Sequence, residues 1–421
     1  LIDSLVLQSS IEPMQPLPQP LPALPVPSEA ALRHSRALKE LIHAELATAG
    51  GWISFEHYMR LVLYAPGMGY YSGGAAKFGE AGDFVTAPEI SSLFGRTLAP
   101  QAAQVLELVG DHADILEFGA GTGKLALDLL LELEKLGSLP RRYFILELSA
   151  ELQQRQRELF ERFAPHLAPR VVWLECLPPS FDGLILANEV LDAMPVHLVA
   201  WHGTDVFERG VMVKGDNFAW SDRPLVEGTL FEAARELSPQ ADAGSGNASR
   251  GLGGDISEYV SEINLSARHF MRSLAAVLQR GAIVLIDYGF GRNEYYHPQR
   301  ASGTLMCHYR HLAHNDPFYL PGLQDITSHV DFSSVAGAAM DSGLELRGYT
   351  TQAYFLINCG ITEILAQTRV ENTKDYLPLA NQLQKLVSPA EMGELFKVIA
   401  FGKNIHKSLL GFGSGDKSRM L

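Results

Sequence analysis

From Glu29 to about Ala49, in "EAALRHSRALKELIHAELATA", apolar residues return every three to four positions, which predicts an amphipathic helix. A second helix is expected from Ser54 to Tyr64, before "APGMGYYSGG" interrupts the chain with Pro66, Gly67 and Gly69. From Ile115 the rhythm changes. "DILEF", "GKLALDLLLELEKL", "RYFILEL", "AELQQRQRELFERF", "RVVWLE" and "FDGLILANEV" alternate short apolar runs with amphipathic ones. Strands separated by helices form parallel βαβ units, so the pattern predicts an α/β fold. The same alternation returns with "EINLSARHFMRSLAAVLQ", read as a helix, and "AIVLIDYG", read as a strand.

Two stretches have no such rhythm. "PMQPLPQPLPALPVP" places residues 1–28 in a proline-rich, disordered tail of the extended kind that proline-binding domains also recognise. "SPQADAGSGNASRGLGGD", residues 238–255, reads as a mobile surface loop. Between them the expected organisation is an N-terminal helical cap over 29–110 and a core over 111–290 with a β-rich insertion at about 201–255. A lid or substrate region over 291–345 and C-terminal elements over 346–421 that complete the core follow.

Composition narrows the function classes. With 421 residues, 47% of them hydrophobic, the chain has room for one large domain with additions or for two to three domains. A net charge of −14 argues against a nucleic-acid partner, which would need a basic face. Cys176, Cys307 and Cys359 are few, odd in number and far apart, which implies a reducing compartment without a disulfide framework. No apolar run reaches membrane-spanning length, so membrane insertion is not expected. The first residues lack the basic region of a secretory signal and the arginine-rich face of a transit peptide, and a cytoplasmic location is the expectation.

The candidate chemistry begins at "ILEFGAGTGKLALDLL". A phosphate-binding P-loop needs G-x-x-x-x-G-K-[ST]. Here only three residues separate Gly119 from Gly123, and Leu125 follows Lys124. The dinucleotide fingerprint G-x-G-x-x-G fails as well, because Lys124 stands at its sixth position. What remains is E-x-G-x-G-x-G, with Glu117, Gly119, Ala120, Gly121 and Gly123 between a strand end and a helix start. Glycines there admit positive φ and let backbone approach a ligand. This is the pattern of class I S-adenosylmethionine (SAM) methyltransferases; the competing reading is a tight strand-to-helix turn without a ligand. "YFILELS" places Glu147, followed by Leu148, at the next strand end, where an acid can accept hydrogen bonds from both ribose hydroxyls. The third strand end, "WLECLPPSFDG", should border the adenine with Cys176 and Leu177, although a buried structural role is the more ordinary reading of Cys176.

Several segments together resemble one family. "YMRLVLYAPGMGYY", "GDFVTAPEISSLFG", "LEFGAGTGKLALDLL", "NEVLDAMPV", "IDYGFG", "DITSHVDF", "TQAYFLINCGI" and "MGELFKVIAFG" are similar to the MidA-type methyltransferases, a group that includes the mitochondrial assembly factor for respiratory complex I. The resemblance runs from about residue 35 to residue 403. It implies a class I SAM-dependent methyltransferase sheet, Rossmann-like, with added helical and β elements over the active site. In eukaryotic members it implies arginine methylation of a complex I subunit, and hence a protein substrate.

Methyl transfer from a sulfonium is an in-line displacement that needs alignment and exclusion of water. A guanidinium nucleophile also calls for carboxylates in fork geometry. "LILANEVLDAMPV" offers Asn188, Glu189 and Asp192 after a strand, with Glu189 as the main orienter and Asp192 as the second. Alternatively, Asn188 and Asp192 cap or brace the turn. In "GDFVTAPEISSLFG", Phe84 is expected to cover the cofactor. Thr86, Pro88 and Glu89 read as a capping box whose helix start faces the SAM carboxylate. His308, His311, His314, Asp316, Asp325 and His329 invite a metal reading. On a helix the three-residue steps would drift round the face, so no metal is expected and a lid fits better. Asp287 and Tyr288 form another strand-end pair beside the pocket. Small-molecule methylation and non-catalytic SAM binding by an assembly factor are the competing functions.

Overall fold

The expected apolar runs do form strands and helices in the computed structural model, which describes residues 24–73, 86–237, 258–368 and 373–421. The proline-rich stretch up to residue 23, the 238–255 stretch, Gly82 and Phe84 lie outside the described residues. In chain order the strands are β1 (Trp52–Ser54), β2 (Asp114–Phe118), β3 (Tyr143–Leu146), β4 (Val171–Leu174) and β5 (Phe181–Asn188). Then come β6 (His197–His202), β7 (Asp205–Lys214), β8 (Asn217–Pro224), β9 (Tyr259–Ile263) and β10 (Leu278–Phe290). The last six are β11 (Met306–Tyr309), β12 (Leu312–His314), β13 (Asp325–Thr327), β14 (Val330–Asp331), β15 (Glu345–Thr351) and β16 (Phe396–Lys403).

The central sheet runs β15-β16-β10-β5-β2-β3-β4, with β14 added beside β10. The β10–β5, β5–β2, β2–β3 and β3–β4 pairs are parallel. β16 is antiparallel to both β10 and β15. These strands are apolar on both faces because helices cover both. Ile115, Leu184, Leu186 and Val284 pack on one side with helices Ser92–Val109 and Lys124–Lys135. Leu116, Ile185, Ala187 and Leu285 pack on the other with Leu265–Val277 and Phe332–Asp341. Successive strands run outward from β2 in one direction through β3 and β4. The chain then returns to place β5 on the other side of β2. This reversal opens a crevice at the carboxyl ends of β2 and β5, where open α/β sheets bind ligands.

A second sheet sits over this end. β7 pairs along one edge with β8 and along the other with β6 and then β1, and β9 closes the far side of β6. The inserted stretch expected at about 201–255 is therefore built from strands spanning His197 to Ile263, and it takes β1 from the N-terminal segment. Helices Glu29–Thr48 and Phe55–Tyr64 share a core with this sheet and with the β12-β11-β13 sheet, through Leu38, Ile42, Tyr58, Val62, Val211 and Ile326.

Two expected elements differ. "EI" of the run read as a helix belongs to β9, and Asn264 caps the helix that follows by accepting a hydrogen bond from Ala267 N at 2.7 Å. His308 and His314 lie on the paired strands β11 and β12, with His311 in the turn between them, so helical stepping does not apply. A turn after three to four residues re-pairs positions that a helix would have spread.

Candidate active site

The glycine loop follows β2 and opens the Lys124–Lys135 helix. Gly119, Gly121 and Gly123 have φ of +61°, +55° and +87°, a region that L side chains rarely adopt. A Cβ built on Gly121 meets nothing within 4 Å, so the backbone there borders open space. The next helix holds the loop in place. Buried Gln156 donates from Nε2 to Gly121 O at 2.8 Å, and its Oε1 accepts from Trp173 Nε1 at 2.7 Å. Below the loop, Tyr143 OH donates to Glu117 Oε2 at 2.7 Å, and burial pushes the Glu117 carboxyl up to about 7. At the end of β3, Glu147 Oε1 accepts from Ser149 N at 3.0 Å, and burial raises the Glu147 pKa above the ordinary glutamate value.

The turn after β5 is built from acids. Glu189 has φ +54°, uncommon for a non-glycine residue, and its N–H donates to Ile286 O at 2.9 Å. Its Oε1 accepts from Asn188 Nδ2 at 3.1 Å and from Ala87 N at 3.4 Å, and the described residues supply no hydrogen bond to Oε2. Burial, then the charge of Asp192, pushes Glu189 up to about 8. Asp192 is 6% exposed and accepts from Tyr288 OH at 2.6 Å; burial raises it to about 6. Behind them Asp287 braces the turn. Its Oδ2 accepts from Leu191 N at 2.9 Å and Asp192 N at 3.2 Å, and its Oδ1 accepts from Tyr288 N at 2.9 Å. Burial and the neighbouring Asp192 and Glu189 charges raise the pKa of Asp287 well above the usual aspartate range.

The loop, Glu147 and this turn share one cavity of about 710 Å³, within the range of small-molecule sites. Glu117, Gly119, Ala120, Gly121, Glu147, Leu148, Cys176 and Leu177 line it. So do Thr86, Pro88, Glu89, Asn188 and Glu189. Among the described residues its ionisable lining is lopsided: Glu56, Glu89, Glu117, Glu147, Glu175 and Glu189 against Arg60 and Lys124. Both cations are already engaged, Arg60 with Glu56 at 3.1 Å and Lys124 with Asp128 at 2.5 Å.

Residues 97–350 match the family model Methyltransf_28, an S-adenosyl-L-methionine-dependent methyltransferase family. The chain belongs to this family. The resemblance to the MidA-type methyltransferases and the class I fold are thereby shown, and the member is a SAM-dependent methyltransferase. A superfamily member from Burkholderia thailandensis, bound to S-adenosyl-homocysteine, is 50% identical and superposes with a TM-score of 0.87 over 95% of this chain and 100% of its own. The mitochondrial protein arginine methyltransferase NDUFAF7 of Danio rerio is 28% identical over 86% of this chain and 85% of its own length. Its Drosophila melanogaster homolog is 28% identical over 89% and 86%.

Against this family background, the expected cofactor residues Glu117, Gly119, Ala120, Gly121, Glu147, Leu148, Cys176 and Leu177 converge on the cavity, while Phe84 lies outside the described residues. Gly123 stands one step back, as the left-handed residue that starts the helix. Four readings are corrected. Cys176 is exposed at the cavity rim rather than buried, because it stands in the loop after β4 and not on the strand. Thr86 is the N-cap of helix Ala87–Ile90 without a side-chain cap bond, so there is no capping box; Glu89 instead accepts from the Thr122 hydroxyl of the glycine loop. The first free N–H of that short helix goes to Glu189, not outward to a ligand. Asp192, expected beside Glu189, is not part of the cavity lining and sits against Tyr288.

The histidine-rich segment also stays off the cavity lining. Burial lowers the pKa of His314 and brings that of His329 down to about 4, and His329 stacks on Phe290 at 5.2 Å. Among the described residues, one group with metal-type donors comes together, His202, Asp222 and Glu258, and Arg209 holds both of its carboxylates. No helix of the described residues is long and apolar enough to cross a membrane. Residue-level reading missed Tyr64, Tyr71 and Phe270 in the cavity wall. The tyrosines stood in the quoted segment "YMRLVLYAPGMGYY", where only their place in the family pattern could have marked them.

Proposed function

We propose that this methyltransferase modifies arginine side chains of a protein client. The observation that carries the reading is Glu189: a partly buried carboxylate in a left-handed backbone, on the same cavity as the glycine loop and Glu147. Backbone outliers of this kind gather at functional sites because the surrounding structure must enforce them. The relatives named as protein arginine methyltransferases support the same substrate class.

The cavity fits the cofactor by its donor set. The loop from Gly119 to Gly121 offers bare backbone, Glu147 offers two acceptor oxygens to ribose hydroxyls, and Leu148, Cys176 and Leu177 offer an edge for the adenine. When bound, S-adenosylmethionine supplies an electrophilic methyl carbon on a sulfonium sulfur. Glu189, whose Oε2 takes no hydrogen bond from the described residues, holds the N–H edge of the guanidinium, and Asn188 holds Glu189. Glu189 would aim the attacking nitrogen at that methyl carbon, and the electron pair of the broken S–C bond would remain with sulfur. The nitrogen then loses one proton, which Glu189 accepts before passing it to water. A pKa near 8 suits that transfer at neutral pH. Asp192 and Asp287 act behind Glu189 as positioning groups, fixing the turn that presents it.

Incubation with methyl-labelled SAM and a cell lysate tests the reading. A labelled protein band is the expected result, and a respiratory complex I subunit is the first client to examine, as the family resemblance implies. Label confined to small molecules would replace the protein client with a metabolite. SAM binding without any transfer would reduce the chain to a non-catalytic assembly factor.

A further inference from the structure

The cavity wall has a component that precedes the matched family region. Tyr64, at the end of helix Phe55–Tyr64, and Tyr71, in the turn after it, both line the cavity that holds Asn188 and Glu189, whereas the family match begins at residue 97. Their rings lie 5.5 Å apart at 23°, nearly parallel. Both hydroxyls are engaged: Tyr64 OH donates to Ala193 O at 3.0 Å, and Tyr71 OH donates to Asp325 Oδ1 at 2.9 Å. A tyrosine tied at its hydroxyl has a fixed ring and offers a π surface to the cavity. Tyr64 is also near the acids of both halves of the site, since Asp325, Asp192 and Glu147 each push its pKa further above the ordinary value after burial has done so.

On the polar side, Asn188 Oδ1 is buried and has no hydrogen-bond partner among the described residues. Together with Glu189 it makes an acceptor edge on the same cavity as the two rings. A guanidinium matches both surfaces, because its plane stacks on aromatic rings while its N–H groups point outward in that plane. An ammonium is a point charge with no plane to stack.

We propose that Tyr64 and Tyr71 form an aromatic wall that stacks on the substrate guanidinium while Asn188 Oδ1 and Glu189 take its N–H edge, so that the N-terminal segment selects arginine over lysine. This rests on the arginine reading above.

The test pairs Tyr64→Leu with Tyr64→Phe. The first removes the ring, and both remove the hydrogen bond to Ala193 O. In transfer to an arginine peptide, Tyr64→Leu should raise KM by about 5- to 30-fold, the range of a desolvated cation–π contact, with the Kd for SAM unchanged. Tyr64→Phe should stay within about 3-fold of wild type. Equal KM effects in both variants would make the hydroxyl contact to Ala193 the whole role and overturn the wall. A changed SAM affinity with unchanged peptide KM would move the tyrosines into the cofactor site and overturn it as well. Should Tyr64→Leu fold poorly, the unaltered protein still decides. Ethylguanidinium should inhibit peptide methylation at a lower concentration than ethylammonium, and equal inhibition would overturn the selection. If the wild-type protein methylates protein substrates but never arginine, the arginine reading falls and the wall falls with it.

Discussion

Glu189 combines a left-handed backbone with a carboxyl pushed up to about 8. A non-glycine residue pays roughly 1–3 kcal/mol for such a conformation, and the fold tolerates it by tying Glu189 N to β10. Glu189→Gln should therefore bind SAM with near wild-type affinity while single-turnover transfer falls by roughly 10²–10³, the effect of removing one preorganised electrostatic group. Wild-type rates in a single-turnover assay of that variant would assign the orientation of substrate elsewhere. The pH dependence carries a sign. Because the carboxylate is the form that holds a cation, kcat/KM should rise as pH rises through about 8, and Glu189→Gln should lose that limb. Stability runs the other way. The folded carboxyl binds its proton more tightly than the ordinary value of 4.5, so its contribution is full below about 4.5 and is lost as pH rises through about 8. The Tm difference of Glu189→Gln minus wild type should thus grow from pH 5 to pH 9, and a constant difference would contradict the buried-acid account. The residues proposed to hold the cofactor behave differently. Glu147→Ala should weaken SAM by roughly 1–3 kcal/mol in calorimetry, the scale of hydrogen bonds to a charged group. Gly121→Val should abolish SAM binding, because a branched side chain would fill the open space beside a φ of +55°.

At the scale of elements, the active turn depends on its neighbour strand. Asp287 on β10 receives two backbone N–H groups from the turn after β5, and Tyr288 OH donates to Asp192. Asp287→Ala would leave Leu191 N and Asp192 N buried without an acceptor. Loss of about 1–3 kcal/mol per group is the ordinary cost, so a clear fall in Tm is expected, with transfer reduced more than the folded fraction explains. Activity that merely follows the folded fraction would limit Asp287 to structure. The strands that carry this turn were legible because burial on both faces writes them as unbroken apolar runs, as in "FDGLILANEV" and "AIVLIDYG". The histidine strands were not, because β11 and β12 are four and three residues long and their period is too brief to read. The capping box at Thr86 also misled. Spacing identifies a Glu three residues after a Thr, but only the fold brings Thr122 to Glu89.

At the scale of the molecule, the site is a joint between the central sheet and a cap that the chain assembles from distant pieces. β1 pairs with β7 across the sequence, and helix Phe55–Tyr64 follows it directly, which delivers Tyr64 and Tyr71 to a cavity whose floor is β2 and β5. The sheet and its glycine loop followed from local rhythm, whereas this long-range pairing has no local signature. That is why the residues proposed to hold the cofactor could be read one by one and those proposed to hold the substrate only through family resemblance. The acidic lining sets a further expectation: SAM should bind, and NAD and ATP should not, since neither glycine template for their phosphates is met and the two cations among the described lining residues are already paired. NAD binding by calorimetry without SAM would contradict the cofactor assignment. The central claim, that this cavity delivers a methyl group to arginine, is tested most directly by the chemical identity of the product. A client labelled with methyl-labelled SAM is hydrolysed completely to amino acids and the radioactive residue is identified. The account predicts label in methylated arginine with the wild-type protein and at least 100-fold less with Glu189→Gln, in line with the loss of one preorganised group; label in methyl-lysine, methyl-glutamine or a methyl ester would contradict it.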